Sequence, residues 1–401
     1  MKRPLTRTDG QLADMWARHT ADWRDTAQVS SQWREAANLD TRLLQTRVTK
    51  GWWSTLEQLG ITLFVTREYE HLVLAFSVVN GRPKTTFFPM PHPSGLTVDR
   101  HTRKVYVAST RNPNQVYTFR PLSSLLERSD VKPAADPSSP ALMPATSAYY
   151  PGSLYIHDLA MIGIQLHANA VGHNAVVRLQ DGNCFERVWW PKCIEVDGTP
   201  VFGRNHIQLN SIAAGPTLAA SFFSASSDRI GRLRPGHLNY PVDRQGVIFS
   251  GTTREPVCTG LTRPHSARLR PTDANPEIWV DNSGYGEIGF VQDGRLEVVR
   301  KLPGWTRGLC MLEDVAFVGT SRIIPKFSRY APGLDASTSV CGVHAISCKT
   351  GGLLGSVEWP YGNQIFSIDW ITSSFSTGFL FQVPYRKHKR ETVLFYSYLN
   401  Q

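Results

Sequence analysis

The sequence lacks the features of a membrane-spanning or secreted chain. None of its hydrophobic runs approaches the roughly 18 residues that a bilayer-spanning helix needs. The first residues, Met1, Lys2 and Arg3, lead into a polar segment rather than into the apolar stretch of a signal peptide. We therefore expect a cytoplasmic protein that does not insert into a membrane.

Cysteine pairs and nucleotide-binding motifs are missing as well. The six cysteines form no CxxC pair, which argues against a disulfide framework and against a thiolate zinc site. The GxGxxG and P-loop patterns are absent, so we expect no nucleotide cofactor. The GxSxG nucleophile motif is absent too, which argues against serine hydrolase chemistry.

Positive charge is present in excess, with 43 Lys and Arg against 33 Asp and Glu and a net charge of +10. Apart from the run Arg386 to Arg390, the basic residues are scattered among acidic ones, and no helix-turn-helix, zinc-finger or RNA-binding signature accompanies them. The pattern predicts a solvated basic surface rather than a nucleic-acid site. Arginine outnumbers lysine, so part of this charge is available to bind an anionic substrate.

Residues 1–58 differ in pattern from the rest of the chain. Trp16, Trp23 and Trp33 lie among Ala, Arg, Asp and Gln with no glycine or proline between them, which predicts a helical extension. Residues 59–401 instead carry short β-rich runs separated by Gly, Pro, Asn and Asp, which predicts an all-β domain. Strands this numerous exceed a single sandwich and indicate a β-propeller.

A repeated pattern supports the propeller. Seven times, a small-residue or His-containing run begins a strand that two further strands follow. These runs begin at or near Ile61, His92, Ile156, Ile207, Arg263, Thr306 and Gln364. Seven innermost strands favour seven blades. The alternative is a six-bladed ring in which residues 61–89 and 364–399 share one blade.

Five motifs follow one another along the chain: IHDLA, LNSIA, RPHSARL, NSGYGE and TRGL. Their order resembles an uncharacterised bacterial β-propeller family of conserved hypothetical proteins, which carries HD, HLNG, PHSPR, DSGTGE and RGL. The resemblance covers roughly Trp52 to Ile324 and implies a propeller without implying a particular reaction. Gln208 replaces the His of HLNG and Asn282 the first Asp of DSGTGE, so no metal ligand is carried over at Gln208.

The starts of innermost strands converge on a propeller's central channel from distant parts of the chain, which is the arrangement that a binding site needs. We therefore predict that His157, His265 and Arg307 take part in catalysis at the axis and that Asn210 binds substrate in the same pocket. Asp158, next to His157 on a regular strand, would point to the opposite side and tie a neighbouring blade.

Two further kinds of site residue are predicted near the channel. Arg263 and Arg322 are candidate substrate-binding residues, because guanidinium groups hold carboxylate, sulfate or phosphate in bidentate fashion. The alternative is that these arginines and Arg307 form ion pairs between blades. Glu287 is a candidate general base, and the alternative is a glutamate on a surface turn.

A metal centre is a further hypothesis. His92, His157 and His265 begin three different innermost strands, and three imidazoles suit a divalent Zn, Fe, Mn or Cu ion with positions open to substrate. His206 or His173 could replace one of the three. The alternative is that these histidines hydrogen-bond to neighbouring blades and bind no metal.

These features favour a propeller enzyme that acts on a small molecule or peptide in an axial, His-lined pocket, by lyase, isomerase or hydrolase chemistry with or without a metal. The alternative is a non-catalytic propeller that binds a protein or peptide partner. The convergence of polar residues favours the enzyme, because a scaffold could fill its channel with small apolar side chains. The sequence does not indicate the oligomeric state.

The N-terminal extension provides a first test. Its three tryptophans would leave a large apolar face in water unless they pack against the propeller. We expect limited proteolysis of the full chain to leave residues 1–58 attached while exposed loops are cut. Rapid loss of the segment, with an unchanged thermal midpoint of the remainder, would contradict this docking.

Overall fold

Short runs rich in Val, Ile, Phe and Thr, separated by turns, form antiparallel sheets in this chain. The computed structural model describes residues 36, 39–49, 51–110, 114–121, 140–237, 239–273 and 275–379, with the backbone alone at 124–125, 325–327 and 396–397. Six sheets of four strands form a closed ring, and one of them is extended by a fifth strand. In five sheets the four strands follow one another in chain order, and in the sixth a C-terminal strand precedes three N-terminal ones. Each sheet is one blade of a β-propeller.

Every blade runs outward from the channel through an innermost, a second, a third and an outermost strand. The innermost strands of blades 1 to 6 are Pro93–Asp99, Ile156–Ile162, Leu209–Ala213, Pro264–Arg270, Trp305–Leu312 and Ser367–Thr372. The second strands are Lys104–Ser109, Gln165–Ala170, Phe222–Ala225, Glu277–Asn282, Val315–Ser321 and Ile61–Arg67. The third strands are Asn114–Pro121, Ala175–Gln180, Gly246–Ser250, Glu287–Gln292, Gly342–Ser347 and Leu72–Val79. The outermost strands are Leu142–Tyr150, Cys184–Trp189, Pro256–Leu261, Arg295–Lys301, Leu353–Glu358 and Arg82–Pro89.

The remaining elements are short. Strand Arg47–Val48 extends blade 5, and two small pairs join Glu195–Val196 to Thr199–Pro200 and Ser124–Leu125 to Tyr396–Ser397. An α-helix spans Trp52–Leu59, and 3-10 helices in the described ranges span Thr41–Leu44, Glu68–Glu70, Val171–His173, Asp181–Asn183, Lys192–Ile194, Ser283–Tyr285, Pro325–Tyr330 and Ala336–Thr338. Within the described ranges, no helix is both long and apolar enough to cross a bilayer.

Blade 6 closes the ring with strands from both parts of the chain. Ser367–Thr372 pairs with Ile61–Arg67 in antiparallel register, from Ile61 opposite Thr372 to Thr66 opposite Ser367. Each innermost strand contacts the next one around the ring. The propeller therefore has six blades, and the preferred count of seven was wrong. Ile61–Arg67 is a second strand that is buried along its whole length, so its sequence looks like that of an innermost strand.

The core is divided among the blade boundaries. Six apolar clusters of buried side chains lie one at each boundary between neighbouring blades. Because both faces of every sheet are covered, burial of apolar area holds each blade to its two neighbours. The ring is thus stabilised by six separate interfaces rather than by one central core.

The helix Trp52–Leu59 lies at the boundary between blades 5 and 6. Trp52 is fully buried, and its ring meets Phe76 of blade 6 at 6.0 Å and Phe317 of blade 5 at 5.9 Å, both edge-on. The helix therefore covers the boundary next to the ring closure. Trp16, Trp23, Trp33 and the basic run 386–390 lie outside the described residues.

Closure of the ring predicts that shortening a side chain lowers the free energy of unfolding by an amount that depends on where the side chain lies. Ile368, in the closing strand, is fully buried between blades 5 and 6. Ile368→Ala should lower the free energy of unfolding by about 2–5 kcal/mol, because a cavity remains in a packed interface. The matched control is Val298→Ala on an outermost strand, where the side chain is 49% exposed and the change should stay within about 0.5 kcal/mol. Urea unfolding followed by tryptophan fluorescence measures both, and equal effects would contradict the role given to the closing strand.

Candidate active site

The innermost strands of blades 1 to 4 begin in the same strained way. The residue before each strand has a positive φ: His92 (41°), Tyr155 (52°), Gln208 (52°) and Arg263 (53°). Such a conformation costs about 1–3 kcal/mol for a residue other than glycine. These positions hold large side chains instead of glycine in spite of the strain, which indicates that the side chains themselves have a role at this end of the channel. We call this end of the channel the upper mouth and the end where the innermost strands finish the lower mouth.

A β-bulge follows the start of five innermost strands. The register shifts lie between Pro93 and Leu96, Ile156 and Leu159, Leu209 and Ser211, His265 and Arg268, and Thr306 and Leu309. A bulge bends the strand and re-aims its side chains. Adjacent residues at the upper mouth can therefore serve the channel and the blade interfaces separately.

Asp158 ties neighbouring blades together, as the sequence predicts. Its carboxylate accepts hydrogen bonds from both terminal nitrogens of Arg268, at 2.8 and 3.2 Å, and from the backbone N–H of Ile212 at 3.0 Å. These contacts connect the innermost strands of blades 2, 3 and 4. The bidentate ion pair lies deep in the channel, with side-chain exposures of 5% for Asp158 and 20% for Arg268.

Two histidines from blades 2 and 4 meet at the upper mouth. The ring centroids of His157 and His265 are 5.7 Å apart, and both residues are buried. The rings of Tyr155 and Phe366 each lie 5.2 Å from His157, and that of Trp305 lies 6.4 Å from His265. The predicted proximity of the two histidines is therefore present, inside an aromatic wall contributed by blades 2, 5 and 6.

His265 is held in its neutral form. Burial lowers the pKa of this imidazole well below its usual value, and the positive charge of Arg307 lowers it further. Neither ring nitrogen of His265 hydrogen-bonds to the described part of the chain. His344 provides a contrast: its ring nitrogens lie 2.9 Å from Thr320 Oγ1 and 2.8 Å from Ser356 Oγ, and burial lowers its pKa to about 4. His344 is a satisfied core residue, whereas His265 is not.

Arg307 lies in the same cluster. Its guanidinium carbon lies 3.4 Å from the ring centroid of Phe366, and the residue is only 9% exposed. Burial lowers the pKa of Arg307, and the carboxylate of Glu68 partly opposes that shift. The following residue, Gly308, has a φ of 89°, which an L side chain would adopt only with strain, and its N–H donates to Ser266 Oγ at 2.8 Å. This turn sets the direction of Arg307.

Arg263 supports a cover over the upper mouth. It donates to the carbonyl of Pro235, and its guanidinium carbon lies 4.2 Å from the ring centroid of Tyr330. Tyr330 in turn donates to the carbonyl of Gly236 at 3.2 Å. The loops 226–245 of blade 3 and 322–341 of blade 5 therefore meet above Arg263 and shield this end of the channel. Burial lowers the pKa of Arg263.

The other predicted substrate-binding residues make contacts within the protein. Asn210 donates to Ser226 Oγ at 3.0 Å and to the carbonyl of Pro264 at 2.8 Å, which links blades 3 and 4. Arg322 donates to the carbonyl of Pro360 at 2.9 Å. The suggested ion pairs between blades are formed by other arginines, Arg268 with Asp158 and Arg100 with Asp369.

Glu287 does not begin an innermost strand. It is the first residue of the third strand of blade 4, two strands out from the channel, and its carboxylate accepts a hydrogen bond from Asn282 at 2.8 Å. The structure therefore places this carboxylate away from the two histidines. The surface-turn alternative describes its position better, because GYGE forms the turn between the second and third strands of blade 4.

The predicted metal ligands are not gathered into one centre. His92 Nδ1 lies 3.9 Å from Glu68 Oε1, and the His92 ring packs 4.5 Å from that of His71. His173 Nδ1 accepts from Arg187 at 3.3 Å, and the backbone of His206 donates to Asn174 at 2.7 Å. Across the described ranges, no group of three or more His, Cys, Asp or Glu is arranged to hold a metal ion.

Sequence reasoning missed the aromatic wall. Phe366 stands directly before the innermost strand of blade 6, as Tyr155 does before that of blade 2. Both could have been found once the six-blade register was known, because they occupy equivalent positions.

The buried Asp281 was also missed. It lies opposite His265 on the second strand, and burial raises its pKa well above the usual value.

The lower mouth holds a cavity of about 400 Å³ lined by residues from all six innermost strands. Its three arginines are already paired: Arg268 with Asp158, Arg100 with Asp369, and Arg270 with Glu277 and Asp314. None of the predicted site residues lines this cavity. His265 and Arg307, which have groups without a hydrogen-bond partner in the described part of the chain, lie at the upper mouth instead.

Comparisons with known proteins give a family and a fold. The family described as "Domain of unknown function (DUF4915)" matches residues 50–378. No curated protein matches the chain. A structure of a nidogen–laminin complex is similar, with 9% identity and a TM-score of 0.50, covering 78% of this chain and 99% of that one. A gluconolactonase from Xanthomonas campestris has 13% identity and a TM-score of 0.43, covering 75% and 86%. At these identities, the likeness extends to the fold alone.

The electrostatics of the cluster predict a measurable coupling. Arg307→Met removes a positive charge that lowers the His265 pKa, so the pKa should rise towards that of an ordinary histidine. Arg322→Met is the matched control, because its guanidinium binds Pro360 and does not act on His265. An NMR titration of the imidazole signals measures both variants. An unchanged His265 pKa in Arg307→Met would contradict the proximity of the two groups.

Proposed function

Because this chain belongs to the DUF4915 family of domains of unknown function, whose description names no reaction, we propose its activity from the geometry of the upper mouth. The proposal is an enzyme that transfers protons on a small molecule held between His157, His265 and Arg307. The reaction class is isomerisation, elimination or hydrolysis, each of which needs a base and a group that stabilises developing negative charge.

The observation that carries this proposal is the unengaged state of His265. A buried polar group normally has a hydrogen-bond partner, as His344 does. His265 is buried, neutral and without such a partner in the described chain. A base must be unprotonated to accept a proton, and the lowered pKa of His265 keeps it so at neutral pH.

The neighbouring groups support proton transfer. We assign His265 the role of general base, and His157, with its ring 5.7 Å away, the role of the second proton-carrying group. Arg307 would stabilise negative charge that develops when the proton leaves, since a buried cation acts strongly where water is excluded. The cover formed by loops 226–245 and 322–341 would keep bulk water from the reacting atoms.

Deuterium incorporation reports proton transfer on any substrate that gains or exchanges a carbon-bound proton. The full-length protein is incubated in D₂O with a mixture of small organic acids and their lactones, and ¹H NMR follows both exchange of carbon-bound protons and consumption. We expect wild-type protein to exchange or convert a subset. His265→Asn should reduce that rate by about 10²–10⁴-fold, the usual contribution of a general base.

The matched control is His101→Asn, which changes an exposed histidine and should leave the rate unchanged. Circular dichroism and the thermal midpoint check that each variant is folded. The rate should stay flat as the pH falls through 6.5, because the His265 pKa lies lower. Full activity of folded His265→Asn would contradict the assignment of the base. Binding of a compound without any turnover would favour the non-catalytic alternative.

A further inference from the structure

Arg307 presents an unused pair of donors. Its Nε–H and one N–H of Nη2 point the same way along one edge of the guanidinium, and neither nitrogen has a hydrogen-bond partner among the described residues. Both nitrogens are shielded from solvent. Arg307 forms no ion pair with any described acidic residue; the acidic groups that act on it, Glu68 and Asp158, do so at longer range.

Two unsatisfied buried donors are costly. Each gives up its hydration on burial without gaining an acceptor, and the penalty is greater when the group is charged. The neighbouring buried arginines avoid this cost at their terminal nitrogens: Arg268 binds Asp158 through both, and Arg263 binds the carbonyl of Pro235. Arg67 also has no hydrogen-bond partner at Nε and Nη2 among the described residues, but its Nη2 lies 3.6 Å from Glu70 Oε1. Arg307 has the two open donors without such a carboxylate beside them, and a ligand could supply it.

We propose that the paired Nε–H and Nη2–H of Arg307 bind the carboxylate of the substrate in bidentate fashion. This inference rests on the proposed function, because it names the substrate class of the same site. A carboxylate matches the edge of a guanidinium, since its two oxygens lie in one plane at the spacing of the two N–H groups. Phe366 fixes the plane of the guanidinium from one side, at 3.4 Å.

The local charge favours a monoanion. Asp158 is already neutralised by Arg268, so Glu68 is the remaining acidic group that acts on Arg307. Arg263 adds a second positive charge near neutral His265. A single negative charge on the ligand offsets this excess. A phosphate would add a second negative charge within range of Glu68, which opposes its binding.

The test measures binding rather than turnover. The probes are sodium propionate, its neutral isostere propionamide, and sodium phosphate, titrated into the full-length protein while the Arg307 Nε–H signal is followed in ¹H–¹⁵N spectra. We expect propionate to shift this signal saturably and propionamide to leave it unchanged. Arg307→Lys, which keeps the charge but loses the paired donors, identifies the signal by its disappearance. In that variant, propionate should bind at least about tenfold more weakly, as measured by calorimetry.

Arg100→Lys is the matched control and should leave propionate binding unchanged, because that guanidinium is already paired with Asp369. If propionate causes no saturable shift, water alone satisfies the two donors and the inference is overturned. Equal binding of propionamide, or tighter binding of phosphate than of propionate, would overturn it as well. The comparison of the three probes on wild-type protein keeps the test decisive if Arg307→Lys fails to fold.

The design separates this inference from the proposed function. Propionate binding that persists in a catalytically inactive His265→Asn protein would support carboxylate recognition whatever the reaction. Turnover of neutral substrates at the same rate as carboxylates, with no effect of Arg307→Lys, would overturn the inference and leave the proton-transfer function standing.

Discussion

The antiparallel pairing of Ile61–Arg67 with Ser367–Thr372 is the constraint on which the molecule depends. The ring closes because this pairing joins a C-terminal strand to the N-terminal strands within one sheet, blade 6, which then packs against both blade 1 and blade 5. The convergence of side chains on the channel follows from closure, because six innermost strands then surround a common axis. His157 and His265 come from blades that are not neighbours, and only the closed ring brings their rings within 5.7 Å.

Because of the bulges near the strand starts, one short segment can both line the upper mouth and join neighbouring blades. His157 faces the upper mouth, while the next residue, Asp158, turns inward to pair with Arg268. In blade 4, His265 faces His157, and the following Ser266 accepts from the backbone of blade 5. The residues that hold the ring together and those that line its upper mouth therefore alternate along the same strands, so the mouth is positioned by the most tightly connected part of the fold.

Much of the fold was readable in the sequence, because strand-length runs and their repetition are local properties. The blade count was not, since the buried pattern of Ile61–Arg67 is the same for a second strand as for an innermost one. The pairing of His157 with His265 was predictable from their equivalent places in the repeat. The sequence did not predict that His92 contacts Glu68 and His71 instead. These two residues come from the turn after Ile61–Arg67, and only the folded structure brings them beside His92.

The geometry of the closing strands also determines how the ring responds to a pulling force. Gly60 and Ser373 flank the first pair, Ile61 with Thr372, and they are themselves hydrogen-bonded at 2.8 Å. Tension applied between these two points separates the six residue pairs of the two strands one after another, starting at Ile61 and Thr372, instead of shearing all six at once. In the other five blades the four strands from innermost to outermost come from one continuous stretch of chain, so the seam at blade 6 is the place where the ring opens under load.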